Sequence, residues 1–344
     1  MGPLAEETQG ARGRAAARRG RLSSDSPLLG GPLDTGAGAE EPRSAAVAYE
    51  PHDDPYRLPT APPADSPPDA DPRLLRELIP VAEPGRELDD WGRSERVFQL
   101  MEPLLNFYYR YWFRVEVEGI ENVPSEGGGL IVSNHSGALP PDAPMIMQSI
   151  RNEHPAPRPL YMLGENWFKG YPGVGMLANK IGLVSAHPAN AQRLLHDEGR
   201  LVLVFPEGQK GTRKLYWQRY RLRRFGRGGF VKTALRAGVP VVPVAVIGAE
   251  EAMPIFAHVP MLQRLTGLIY FPVNHAFPHL GLAAGLFYMP AKFKIRFLEP
   301  VHFDYGPEDA DDIELVQSLA EGIRERIQRE VDDLISARTS VWFG

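Results

Sequence analysis

From Trp91 onward the chain switches repeatedly between two kinds of apolar spacing, and the first 90 residues show neither. Between Trp91 and Phe113, twelve apolar residues starting at Val97 recur at helical spacing, and the aromatics Phe107, Tyr108, Tyr109, Tyr111 and Trp112 spread beyond one face. Two settings fit this stretch. One is a helix packed on the core. The other is a helix at a membrane interface, where Tyr and Trp keep one ring end apolar and the other wet.

Residues Phe113 to Gly119 alternate with period two and predict an edge strand. Gly129–Ser133, Leu160–Leu163, Leu201–Phe205 and Val239–Ile247 are short apolar runs of the buried-strand kind. Asp142–Ser149, Ala189–Glu198 and Phe230–Ala237 read as helices between them, the last stopped by Gly238. Alternating strands and helices imply an α/β domain with a mainly parallel central sheet flanked by helices. From Ala310 to Arg338, apolar residues recur as Ile313, Val316, Leu319, Ile323, Ile327, Val331 and Leu334. That predicts an amphipathic closing helix, for which packing is reason enough.

The opening segment is of another kind. It holds 14 of the 34 prolines within 90 residues, and residues 1–78 contain no Phe, Trp or Ile. Such a stretch buries too little apolar surface to offset its ordering entropy. Residues 1–88 are therefore expected to be a disordered Pro/Ala/Gly-rich tail, and 89–344 the folded domain. Arg12, Arg14, Arg18, Arg19 and Arg21 are followed by no apolar core of a secretory signal, and Glu6 and Glu7 weigh against a transit peptide.

Composition narrows the chemistry. With 43% hydrophobic residues among 344 there is material for a sizeable core. The net charge of -5 gives no reason to expect nucleic acid. The absence of cysteine excludes disulfides, Cys-ligated zinc and a thiolate nucleophile.

Four stretches carry candidate chemistry. The strand at 130–133 runs into Asn134-His135-Ser136-Gly137-Ala138-Leu139-Pro140-Pro141-Asp142. In an open α/β sheet ligands gather beyond the carboxyl ends of strands. A histidine there, with a carboxylate to fix its tautomer, makes a general base and its orienter. An ordinary loop histidine, with Asp142 capping the next helix, is the competing reading. The strand ending at Phe205 opens into Pro206-Glu207-Gly208-Gln209-Lys210-Gly211-Thr212-Arg213-Lys214, a turn followed by cations able to hold phosphate or simply to be solvated. No acid occurs between Gly208 and Ala249, while Arg219, Arg221, Arg223, Arg224 and Arg227 interleave with Tyr216, Trp217, Tyr220 and Phe225. This local basic patch suits anionic lipid or cofactor phosphates. Finally, Leu265–Ala291 carries no charged side chain. It is long enough to span a membrane, but Pro272, Pro278 and Pro290 interrupt it, so an interfacial or re-entrant segment and a buried one are the better readings.

In this order, Asn-His with a following Asp, Phe-Pro-Glu-Gly, and Val239-Pro240-Val241-Val242-Pro243-Val244 resemble the recurrent blocks of the glycerolipid (lysophospholipid) acyltransferase family over roughly residues 95–305. The resemblance implies a glycerol-phosphate acyltransferase-like fold with a mixed sheet. It also implies acyl transfer from acyl-CoA or acyl-carrier protein to a lysophospholipid hydroxyl at a membrane surface. His135 becomes the general base and Asp142 its partner. Glu207, Gly208, Lys210 and Arg213 become the acceptor or phosphate-binding block, and backbone amides near Gly137 or Gly208 become candidate oxyanion donors. No metal and no resident cofactor are implied; the partners are a membrane lipid surface, the acyl donor and the lipid acceptor. The expected location is the cytoplasmic face of a membrane, peripheral or re-entrant rather than multi-spanning. Two departures stand out. Six residues separate His135 from Asp142 where the family has four, and Gln209-Lys210 follows the glycine where the family has Thr-Arg. A neutral acceptor such as diacylglycerol or a long-chain alcohol, and a catalytically silent lipid-binding protein on the same fold, are the alternatives.

Overall fold

Strand β2, Gly129–Ser133, is buried along its whole length, and its sequence shows why. Leu130 and Val132 point into one apolar cluster while Ile131 points into another on the opposite face of the sheet. A strand covered on both faces has no solvent side to alternate with, so it reads as a continuous apolar run. The computed structural model describes residues 88–136, 140–164, 174–266, 272–275, 279 and 287–344. The tail expected at 1–88 lies outside them but for Leu88, as does most of the uncharged segment 265–291.

The central sheet has seven strands. Besides β2 they are β1 (Glu116–Glu118), β3 (Leu160–Gly164), β4 (Leu183–Ser185), β5 (Leu201–Val204), β6 (Val241–Ile247) and β9 (Lys294–Phe297). Their order is β1-β9-β6-β2-β5-β3-β4. The five strands from β6 to β4 are mutually parallel, whereas β9 runs antiparallel to β6 and carries β1 with it. The sheet is thus mixed and mainly parallel, with β1 at its edge. A small antiparallel pair, β7 (Ala257–His258) and β8 (Pro272–Val273), stands apart.

β6 places Pro243 between two hydrogen-bonded neighbours, where a residue without an N–H is costly. The antiparallel register absorbs it. Val244 faces Phe297, but Val241 faces Val301, so one extra residue on the β9 side forms a bulge beside the proline.

The helices cover both faces. On one side lie α1 (Glu95–Phe107), continued by a π-helical turn at Tyr108–Trp112, and α2 (Asp142–Glu153). Ser94 caps α1 by accepting the Val97 N–H at 3.2 Å. This helix packs on the core along one face and leaves a second apolar face exposed. Phe98, Leu105 and Tyr109 are buried, while Leu100, Leu104, Phe107 and Tyr111 form an exposed stripe. On the other sheet face lie α6 (Gly229–Ala237) and α9 (Ile313–Ala337). Asp312 caps α9 by accepting the Glu314 and Leu315 N–H groups, each at 3.0 Å. Its buried positions, Val316, Ala320, Ile323, Ile327, Val331 and Leu334, keep the three- and four-residue spacing of a single stripe. The shorter helices α3 (Val174–Lys180), α4 (Pro188–Gln192), α5 (Gln209–Thr212), α7 (Ala249–Ala252) and α8 (Pro260–Thr266) fill the connections.

Ile327 is fully buried where α9 closes the core. Ile327→Ala is expected to lower the unfolding free energy by about 2–5 kcal/mol in a denaturant titration.

Candidate active site

The chain leaves the sheet at Asn134 through a side chain that imitates a strand. Asn134 Nδ2 donates to the Val246 carbonyl at 2.9 Å, and Asn134 Oδ1 accepts the Val246 N–H at 2.9 Å. The pairing of β2 with β6 is thereby extended by one rung while the backbone turns away. The next residue, His135, emerges at the carboxyl edge of the sheet.

Three groups fix His135. Its N–H donates to Glu207 Oε1 at 2.9 Å. Its ring stacks on Phe205, with centroids 4.0 Å apart and planes 15° from parallel. Its Nδ1 lies 2.8 Å from Asp142 Oδ2. Asp142 has no solvent exposure, whereas the His135 side chain keeps 14%. Oδ2 also accepts the Ser136 N–H and hydroxyl, both at 3.1 Å, and Oδ1 accepts the Ala143 N–H at 2.8 Å. Asp142 thus orients the histidine and binds an amide of the first turn of α2, combining two roles that the sequence offered as rivals. An ionised carboxylate only accepts, so Nδ1 carries the proton and the Nε2 lone pair faces away from Asp142. Nε2 makes no hydrogen bond among the described residues.

The Phe-Pro-Glu-Gly turn follows β5, the neighbour of β2. Glu207 is buried and divides its oxygens between Oε1, which takes the His135 N–H, and Oε2, which takes the Arg223 N–H at 2.7 Å. Its carboxylate therefore faces protein, not an acceptor phosphate. Gly208 adopts φ 53° and ψ -146°, a conformation closed to other residues, and its N–H donates to the Phe205 carbonyl at 2.9 Å. That amide is engaged within the turn and is not free for an oxyanion; Gly137 lies outside the described residues. A Cβ on Gly211 would lie 2.8 Å from His135 Cβ and 2.9 Å from Glu207 Cβ, so α5 approaches the histidine only because this residue is glycine.

The cations of this segment part company. Lys210 and Arg213 are exposed on the surface beside the turn. Lys214 is buried, with Nζ 2.5 Å from Glu250 Oε1 and 3.5 Å from Glu207 Oε2. Glu250 follows β6, so three adjacent strands, β6, β2 and β5, deliver Glu250, His135 and Glu207 in turn. Burial pushes the Glu250 carboxyl up to about 7, the Lys214 charge holding it back. Burial pulls Lys214 down, but Glu250 and Glu207 outweigh it and hold its ammonium above the ordinary lysine range. Glu250 Oε2 accepts the Tyr220 N–H at 2.6 Å, and the Tyr220 hydroxyl accepts the Gly248 N–H at 2.8 Å while donating to Glu251. Arg338, just past α9, reaches Glu251 at 2.9 Å. Sequence reading passed over Glu250 and the buried state of Lys214, and took Tyr220 only as part of the basic patch. The one available signal was the return of acids, Glu250-Glu251, straight after an apolar strand and a 41-residue acid-free run from 208 to 248.

Five other described histidines, His154, His187, His196, His258 and His275, have structural partners. His187 caps α4 by accepting the Ala189 N–H, and both His154 ring nitrogens bond to backbone carbonyls. Among the described residues, no three His, Asp or Glu side chains converge on a possible metal site.

A family model described as Acyltransferase matches residues 114–247, the span from β1 through β6 that contains His135, Asp142 and Glu207. An uncharacterized protein of Mycobacterium tuberculosis is 44% identical over 246 residues, covering 71% of this chain and 68% of that protein. This chain belongs to the acyltransferase family. A second relative of the acyltransferase, from Gallus gallus, is described as a DGAT1/2-independent enzyme synthesizing storage lipids; it is 24% identical over 221 residues, covering 64% of this chain and 61% of that protein. A solved structure, the 1-acyl-sn-glycerophosphate (LPA) acyltransferase PlsC from Thermotoga maritima, aligns with a TM-score of 0.46 at 22% identity, covering 71% of this chain and 83% of that one.

The packing of Gly211 under His135 yields a test in this acyltransferase. Gly211→Ala is expected to lower kcat about 10- to 100-fold by displacing the histidine, with the fold intact by circular dichroism.

Proposed function

We propose that this acyltransferase moves a fatty acyl group from a thioester donor, acyl-CoA or acyl-carrier protein, to a hydroxyl of a glycerolipid. The 2.8 Å contact between His135 Nδ1 and Asp142 carries this reading, because it presents Nε2 as the base. The acceptor hydroxyl gives its proton to Nε2 as its oxygen attacks the thioester carbonyl carbon. The tetrahedral intermediate collapses with cleavage of the C–S bond, and the thiolate takes the proton back from the imidazolium. Asp142 stabilises the cation between those steps. The products are an ester and a free thiol, with no acyl-enzyme.

The acceptor we favour is a lysophospholipid, with its phosphate near the exposed Lys210 and Arg213. A neutral acceptor is the second reading. The replacement of Thr-Arg by Gln209-Lys210 favours it, as does the relative described as synthesizing storage lipids.

We further propose that the enzyme works at the cytoplasmic face of a membrane, held there peripherally. Among the described residues no helix is long and apolar enough to cross a membrane. Support comes instead from α1 and its extension, where Leu100 is 80% and Tyr111 is 72% exposed. With Leu104 and Phe107 they form an apolar stripe flanked by exposed Arg96 and Arg110. An apolar stripe edged by cations is the pattern of a helix lying in an interface.

Purified enzyme supplied with radiolabelled acyl-CoA or acyl-carrier protein and a panel of lysophospholipid, diacylglycerol and long-chain alcohol acceptors tests the chemistry. His135→Ala is expected to reduce turnover by about 10²–10⁴-fold; turnover untouched by that change sinks the mechanism. Full activity on a phosphate acceptor after combined Lys210→Ala and Arg213→Ala counts against phosphate binding by these two residues.

Replacing Leu100 and Leu104 together by Glu is expected to release the enzyme from phosphatidylglycerol-containing vesicles in a sedimentation assay. Undiminished sedimentation removes α1 from the membrane-binding surface.

A further inference from the structure

Behind the histidine lies a buried charge cluster that the acyl-transfer chemistry does not itself use. Lys214 is only 3% exposed and sits between Glu207 and Glu250, which come from the carboxyl ends of β5 and β6. Glu207 needs both its oxygens as acceptors, because each already serves a backbone amide, that of His135 and that of Arg223. A protonated carboxyl turns one of those oxygens into a donor, and one of the two amides then loses its partner. Glu250 is under the same demand through the Tyr220 amide and the Lys214 ammonium.

Other charges near this cluster come from several elements. Asp142, at the start of α2, acts on Glu250 with the same sign as Glu207 does. Arg324, on α9, pairs with Glu321 and feels the charge of Glu207 only weakly. Glu251 is occupied by Tyr220, Arg219 and Arg338. Among the described residues Lys214 is therefore the cation in direct contact with both carboxylates. Two buried carboxylates that lean on one cation do not both stay ionised once that cation is removed.

We infer that Lys214 is a positioning residue: its ammonium, set between Glu207 and Glu250, balances the Glu207 carboxylate, so that Glu207 holds the His135 amide and with it the imidazole in line with Asp142. The effect runs through the backbone of the base, since among the described residues no hydrogen bond or ion pair joins Lys214 to His135. It explains why a lysine is buried next to a reaction that calls for no ammonium. The inference rests on the acyl-transfer reading for its activity readout.

The test compares wild type, Lys214→Met and the double variant Lys214→Met with Glu250→Gln. Turnover of acyl-CoA that His135→Ala abolishes in the otherwise wild-type enzyme establishes the acyl-transfer reading first, and independently. Lys214→Met is expected to lower kcat about 10- to 100-fold at pH 7 with KM nearly unchanged. The loss shrinks as pH rises, because without the cation the buried carboxylates need a higher pH to lose a proton. The acidic limb of the kcat profile thus moves to higher pH. The double variant removes the competing carboxylate along with the cation, leaves Glu207 without a like-charged neighbour in contact, and is expected to recover most of kcat. A second readout needs no turnover: the His135 amide proton, followed by NMR, leaves its hydrogen-bonded position at a higher pH in Lys214→Met than in wild type and returns to the wild-type range in the double variant. If Lys214→Met fails to fold, the double variant decides alone, since replacing a buried pair by neutral groups is well tolerated. A folded double variant with near-wild-type kcat and amide signal supports the inference. A loss in Lys214→Met that is the same at every pH overturns it, as does a folded double variant that stays inactive or a His135 amide insensitive to Lys214.

Discussion

The Glu207 carboxylate joins two stretches of backbone that have no other reason to meet. One oxygen holds the amide of His135, 72 residues earlier, at 2.9 Å, and the other holds the amide of Arg223, 16 residues later, at 2.7 Å. A buried N–H left without an acceptor costs about 1–3 kcal/mol, so a single carboxylate here supports both the catalytic loop and the basic segment. Bonds from amides to an ionised oxygen are among the strong ones, which helps offset removing a charge from water. The stacking of His135 on Phe205 and the closeness of Gly211 follow from the same anchoring. All three groups belong to one turn, and that turn is pressed against the histidine by Glu207.

That turn can reach the histidine because β2 lies between β5 and β6. None of the three is next to another in sequence among the strands of the sheet, except β5 and β6. Yet their carboxyl ends open side by side, and each supplies part of the site: Asn134 and His135 from β2, Phe205 and Glu207 from β5, Glu250 from β6. Asn134 adds a side-chain rung to β6 at the very point where the backbone must depart. Beyond it, Asp142 reaches back from the first residue of α2. The Pro140-Pro141 step leads into that helix, and the six-residue spacing still closes to 2.8 Å.

Behind this front the polar groups continue inward instead of ending at a dry core. Lys214, Glu250, Tyr220, Glu251 and Arg338 form a connected series from the histidine's support to the end of the closing helix. Buried ions are weak sources of stability, and their desolvation is tolerable only when every oxygen and proton is used. Tyr220 shows how tightly the series is determined. It sits at φ 63°, unusual for a bulky residue, with its N–H on Glu250, its carbonyl on Gln328 and its hydroxyl on Gly248. The basic segment is thus fastened by its middle, while Arg221, Arg223, Arg224 and Arg227 remain exposed.

The sequence by itself determined the layer architecture, because strands covered on both faces must be apolar throughout and the helices beside them must carry one apolar stripe. It also singled out His135 and Asp142, since a histidine just past a buried strand and an acid at the next helix start are visible as residue types at positions. It missed β4, three residues long with no alternation around it, and β9, although Phe293-Lys294-Ile295-Arg296-Phe297 alternates with period two. It left α1 undecided because its apolar residues fill two faces, and only the packed fold shows which one the core takes. Tertiary structure alone decided the order of the strands, hence that Glu250 and Glu207 both reach Lys214. It decided which of three nearby cations, Lys210, Arg213 and Lys214, goes inside. Charge is visible in a sequence, but whether a charge is solvated or buried depends on neighbours that folding brings from elsewhere in the chain.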